Sequence, residues 1–176
     1  MSNVVLVVDM VRGFCEESHN LYVGPTIREI IPRIRDLLRE EKAKGSHIIF
    51  LCDTHDPDDL EFKMFPPHCV RGSEEAEVIP ELQEFAEEVI PKQRFSCFFE
   101  TNLEGRLDEL KPDKIIVVGV CTNICVLYTV ADARSRDYAV EVPADCVATF
   151  DPEAHEFALQ QLKTVLGAEV TGAPVG

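Results

Sequence analysis

Short runs of consecutive apolar residues recur along the chain, and the spacing between them changes character. Val4–Val8, His47–Cys52, Glu88–Pro91, Lys114–Gly119 and Ala139–Val142 are β-branched and apolar on both faces. That pattern predicts parallel strands covered by helices on each side, because a half-exposed antiparallel strand would alternate. Ala168–Thr171 reads as a further strand near the end. Between the runs, apolar residues fall three and four apart. In 25–44 they are Ile27, Ile30, Ile31, Ile34, Leu37 and Leu38, one face of a helix. Pro25 suits its first turn and Gly45 its C-terminal stop, while Pro32 inside it predicts a kink or a later start. Residues 104–110, 124–136 and 152–166 are the other predicted helices, the last with Asp151 placed as an N-cap.

Alternating strands and helices predict an α/β fold, a three-layer αβα sandwich around a mostly parallel sheet of about six strands. The whole chain, 1–176, reads as a single domain. In such sheets ligands bind at the carboxyl ends of the strands. The longest irregular stretch, 53–74, is rich in Pro, Asp and His, and loops of that length are usually functional or disordered.

Charge and cysteine usage narrow the classes. A formal net charge of −15 argues against a nucleic-acid partner, which would need a basic stripe. No apolar stretch approaches membrane-spanning length, so a cytoplasmic protein without a membrane partner is expected. The seven cysteines are odd in number and contain no CxxC pair, which points to free thiols rather than a zinc ribbon or a disulfide framework.

Three residues fall just beyond strand ends, where a parallel sheet would bring them together: Asp9 after the first, Lys92 after the third and Cys125 after the fourth. A thiol beside a cation at a helix start is the setting for a nucleophile, and a nearby carboxylate can take its proton. Each residue alone has a plainer account: the Asp as a turn cap, the Lys as a solvated side chain, the Cys as core. Cys121 and Cys125, four apart, would also suit a redox pair, although such a pair needs neither Asp9 nor Lys92. His19, His47 and His155 carry no assigned role.

The segments "VDMVRGF" (8–14), "KQRFSCFF" (92–99) and "GVCTNICVLYTVADA" (119–133) resemble, in order and separation, three motif blocks of the isochorismatase-like cysteine hydrolases. The resemblance covers nearly the whole chain. It implies the isochorismatase-like (Rossmann-like) fold and catalytic roles for Asp9, Lys92 and the nucleophile Cys125. It further implies a cis peptide between Val120 and Cys121, with the backbone N–H groups of Cys121 and Cys125 as an oxyanion hole.

The long loop adds "CDTHDPDDLEFKMFPPHCVRGS" (52–73). Asp53, His55 and His68, with Glu61 available, offer donors suited to zinc, iron or manganese, though acidic loops with histidines are common. Asp-x-His followed by "PPHCV" resembles the nicotinamidase (pyrazinamidase) branch, in which a divalent metal holds the pyridine nitrogen of the substrate. That implies Asp53, His55 and His68 as metal ligands, Glu61 as the candidate fourth, and zinc as the first choice of ion. Thr54 and Phe65 stand where that branch usually has Trp. Phe65 still offers an aromatic face, and with Phe14 it could sandwich a flat ring, although core packing accounts for Phe14 equally well.

The expected activity is therefore hydrolysis of nicotinamide to nicotinate and ammonia through a cysteine thioester. The partners implied are a small-molecule amide and, by resemblance, a second copy of the chain in a homo-oligomer. Two other readings stand beside it: a cysteine hydrolase of another small amide, carbamoyl or ureido, and a non-catalytic binding or thiol-sensing protein of the same fold.

Overall fold

Val4–Val8 forms strand β1, and every one of its residues is buried. In the computed structural model, which describes residues 2–176, this strand lies in the middle of a parallel sheet. The chain continues through α1 (Arg12–Cys15), α2 (Thr26–Ala43), β2 (His47–Asp53), β3 (Val89–Lys92) and α3 (Leu103–Leu110). It then runs through β4 (Ile115–Val120), α4 (Leu127–Ser135), β5 (Val140–Pro143), β6 (Val147–Ala148), α5 (Pro152–Thr164) and β7 (Glu169–Thr171). The strand order is β3-β2-β1-β4-β5-β7, with β6 paired to β4, and every strand pairing is parallel.

The sheet thus has seven strands, one more than the apolar pattern predicts. The addition is β6, two residues long, too short to leave a period in the sequence. The other strands lie within a residue of their predicted bounds; β1, β2 and β4, sealed on both faces, read as continuous apolar runs.

Alternate residues of β1 feed two separate cores. Val5 and Val7 pack with Ile27, Ile30, Ile34 and Leu38 of α2 on one face. Val4, Leu6 and Val8 pack with Leu107 of α3, Val130 of α4 and Leu162 of α5 on the other. Each fully buried aliphatic side chain contributes roughly 1.5–3 kcal/mol relative to an exposed one. Helix α2 starts at Thr26 and runs through Pro32 without a later start. Gly45 follows its C-cap with φ +86, the left-handed turn that glycine accepts best. Asp151 caps α5 by accepting hydrogen bonds from the amides of Glu153 and Ala154.

Register brings the strand ends together. Val8 pairs with Leu51 and Gly119, and Asp53 pairs directly with Lys92. Order along the sheet reverses across β1 and β4, the switch point at which open α/β sheets form their crevice. Gly119 is required there: its φ is +116, and a Cβ would sit 2.0 Å from the carbonyl oxygen of Val8.

Candidate active site

Asp9 follows β1 directly and takes the left-handed conformation, φ 52, that a short polar side chain tolerates. Its amide donates to the Leu51 carbonyl at 2.8 Å, and its Oδ1 accepts from the Asp53 amide at 2.9 Å. The carboxylate is thereby fixed over the ends of two strands. Lys92, the last residue of β3, reaches into the same place with its side chain fully buried. Its Nζ lies 3.0 Å from Asp9 Oδ2 and 2.5 Å from Asp53 Oδ1, and donates to the Arg94 carbonyl at 2.9 Å. It also lies 3.4 Å from the sulfur of Cys125.

Cys125 comes from the far side of β4. The peptide Val120–Cys121 is cis, and a π turn over Thr122–Val126 leads into α4. Such turns are frequent at functional sites. Asp9, Asp53 and Cys125 bring one side-chain atom each within 4.8 Å of one another.

The electrostatics follow from burial and these contacts. Burial opposes the charge of Lys92, but Asp53 and Asp9 outweigh it and hold the ammonium protonated well above its ordinary range. Burial, then the Asp53 charge, push the Asp9 carboxyl up to about 6 against the pull of Lys92. Burial also pushes the Cys125 thiol well above its usual range, only partly opposed by Lys92. The resting group is a neutral thiol beside a carboxylate basic enough to accept its proton.

A second cluster adjoins the first through Asp53. Asp53, His55, Glu61 and His68 are all buried and place one donor atom each within 4.8 Å of one another. His55 Nδ1 lies 2.9 Å from Asp59 and His68 Nδ1 lies 2.8 Å from the Pro66 carbonyl. These acceptors place a ring proton on each Nδ1 and turn both Nε2 atoms towards the carboxylates of Asp53 and Glu61. His55 Nε2 is buried with no hydrogen-bond partner among the described residues. Burial disfavours a charge on His55, yet Asp53 and Asp59 hold its pKa up at about 9, so the site attracts positive charge. Two imidazole nitrogens and two carboxylates in a dry pocket fit a divalent cation of the zinc, iron or manganese type.

The similarity to known proteins bears out the architecture. The sequence profile of the isochorismatase domain matches residues 3–174. The chain belongs to the isochorismatase family. Within the family, nicotinamidase PncA from Bacillus subtilis superimposes with a TM-score of 0.91 at 32% identity, covering 98% of this chain and 100% of the other. The pyrazinamidase of Pyrococcus horikoshii, solved in complex with zinc, gives 0.89 at 29% identity, with 98% and 100% covered. N-carbamoylsarcosine amidase from Thermoplasma acidophilum gives 0.85 at 30% identity, with 97% and 96% covered. With such neighbours, this is an isochorismatase-family hydrolase of the nicotinamidase branch.

Between the thiol and the four-donor cluster this family member has a pocket of about 340 Å³. Phe14 and Phe65 both line it and flank His68, with ring centroids 5.8 and 6.4 Å from the imidazole. Thr54 is not among the lining residues; its hydroxyl turns back to the Cys52 carbonyl at 3.0 Å. Several contributors were not singled out in the sequence. Asp59 joins His55 Nδ1 to the Arg94 guanidinium, 2.9 Å from Asp59 Oδ1, and its spacing of four from His55 was the available signal. Phe95 lies in the second motif block and forms pocket wall, while Tyr22 and Phe150 come from irregular segments without a periodic signature.

Proposed function

We propose that the protein is a metal-dependent amidohydrolase that converts nicotinamide to nicotinate and ammonia. The observation that carries this is the pocket itself. It is walled by aromatic and aliphatic side chains, and both the buried thiol and three of the four donors, Asp53, Glu61 and His68, line it. A flat ring with a basic nitrogen and an amide substituent suits both the donor cluster and the thiol, and the activities of the nicotinamidase from Bacillus subtilis and the pyrazinamidase from Pyrococcus horikoshii support that substrate class.

A bound divalent cation would supply Lewis-acid ligation to the ring nitrogen, held by Asp53, His55, His68 and Glu61. The chain's own groups do the rest. Phe14 and Phe65 confine the ring. Asp9 takes the Cys125 proton as sulfur forms its bond to the amide carbon, and Lys92 stabilises the growing negative charge. The carbonyl electron pair becomes an oxyanion, for which the backbone N–H groups of Cys121 and Cys125 are the assigned donors. As the pair returns, the C–N bond breaks, Asp9 gives its proton to nitrogen, and ammonia leaves a thioester. Water then attacks while Asp9 takes its proton, and the acid departs as the sulfur is reprotonated.

The carbamoyl or ureido reading is favoured less by the lining. Asp9, Asp53 and Glu61 border the pocket, and no Arg or Lys is among its lining residues. A substrate bearing its own carboxylate would meet like charge there without a partner. The test is ammonia release from nicotinamide by purified protein, beside Cys125→Ala and a chelated sample. Release lost in both is expected. Undiminished turnover by Cys125→Ala, or faster turnover of a carboxylate-bearing carbamoyl compound, refutes this function.

A further inference from the structure

The residue after the cis peptide, Thr122, is fully buried and opens the π turn that carries Cys125. Its hydroxyl does not fold back on its own turn, as buried threonines in helices commonly do. It lies 2.8 Å from Nδ1 of His155, on the first turn of α5. We propose that His155 is a positioning residue. By holding Thr122 it fixes the π turn, and through it the Cys121 backbone and the Cys125 sulfur, in the geometry needed for attack.

Four observations support this. The His155 ring is not a satisfied core histidine: its Nε2 is buried with no hydrogen-bond partner among the described residues. Among the described residues Thr122 is therefore the single polar anchor of the ring, an arrangement that costs stability where an apolar side chain would not. The helix bearing it is itself held rigidly, since Asp151 caps its amides and its backbone receives the His155 N–H at 2.9 Å. The same helix start adjoins the pocket, because Phe150, one residue before the cap, is part of the wall. Burial lowers the His155 pKa, so the ring is neutral at ordinary pH and adds no charge beside the sulfur.

The inference rests on Cys125 as nucleophile, and the experiment separates the two ideas. Alkylation of each cysteine by iodoacetamide is followed by peptide mass spectrometry, beside steady-state turnover of nicotinamide, in wild type, His155→Phe, His155→Asn, Thr122→Val and His155→Phe/Thr122→Val. Asn places a polar atom where Nδ1 stands; Phe keeps the ring volume without it. His155→Phe and Thr122→Val are each expected to slow Cys125 alkylation and kcat about tenfold, the scale of a small misplacement of reacting atoms. KM should stay within about twofold, because ring binding is untouched. The double variant should lose no more than either single, and His155→Asn should recover most of the rate. Wild-type alkylation and kcat in both His155→Phe and Thr122→Val overturn the proposal, as do losses that multiply in the double variant. Should His155→Phe fail to fold, Thr122→Val alone decides. No preference for Cys125 over the other cysteines in the wild-type protein overturns the nucleophile assignment and this inference with it.

Discussion

Replacing Lys92 by Met keeps most of the side-chain volume and removes one charge from the centre of the site. Its ammonium lies 3.0 Å from Asp9 and 2.5 Å from Asp53, all three side chains being buried. Removing one partner of a buried, hydrogen-bonded ion pair costs about 3–5 kcal/mol, because the remaining charges keep their desolvation without compensation. For a chain of 176 residues each kcal/mol corresponds to roughly 2–4 °C, so a fall of about 6–20 °C in Tm is expected. The deficit should depend on pH with a definite sign. In wild type Asp9 titrates at about 6, above its ordinary 3.8, and Lys92 is what restrains it from rising further. Without Lys92 the folded protein binds protons more readily, so the variant recovers stability relative to wild type as pH falls. The assay is thermal unfolding of chelated wild type and Lys92→Met at pH 8 and pH 5, with turnover measured alongside. A variant within about 2 °C of wild type at pH 8, or a deficit that grows on acidification, refutes the reasoning.

Glu88 gives a second pH test away from the site. Arg106 makes two contacts to it, at 2.7 and 3.0 Å, and with His47 holds its pKa at about 2 against an ordinary 4.5. Its contribution is complete above 4.5 and lost as pH falls towards 2, so Glu88→Gln should destabilise by at most about 3 kcal/mol at pH 7 and by little near pH 2. Denaturant midpoints at both pH values check this. Gly119→Ala places a Cβ 2.0 Å from the Val8 carbonyl at φ +116, so it should yield misfolded protein or lose several kcal/mol, read by circular dichroism and Tm. Zinc at a thousand times its dissociation constant should stabilise the chelated protein by about 4 kcal/mol, and His55→Ala should abolish most of that shift. Asp9→Asn should lower kcat by about 10²–10⁴-fold in the ammonia assay, the usual worth of general acid–base catalysis.

The central strands β1, β2 and β4 were legible because burial on both faces leaves a continuous apolar run, and α2 because its buried isoleucines repeat at helical spacing. The strand-end residues Asp9 and Lys92 could be placed for the same reason, since parallel register carries strand ends to one side. Pairing of Asp53 with Lys92 needed the register itself, which no single strand encodes. Other parts left no such trace. β6 is too short to show a period, and Tyr22, Phe95 and Phe150 converge through loop closure between distant segments. Thr122 and His155 are 33 residues apart, and only the packing of α5 on the π turn joins them.

Gly119 lies on β4 and Asp9 directly follows β1, strands whose movement would open the sheet, whereas most of the pocket wall is loop. Asn20–Val23, Phe65, Phe95 and Phe150 all come from segments outside the regular strands and helices. The groups proposed to react and the groups proposed to choose the substrate therefore belong to different mechanical classes. Insertions and replacements in the loops can recut the wall without displacing the carboxylate, ammonium and thiol that the sheet aligns. A scaffold divided in this way gains new specificities by small changes and keeps one chemistry, which makes the loops between strand ends the natural targets for redirecting it to other amides.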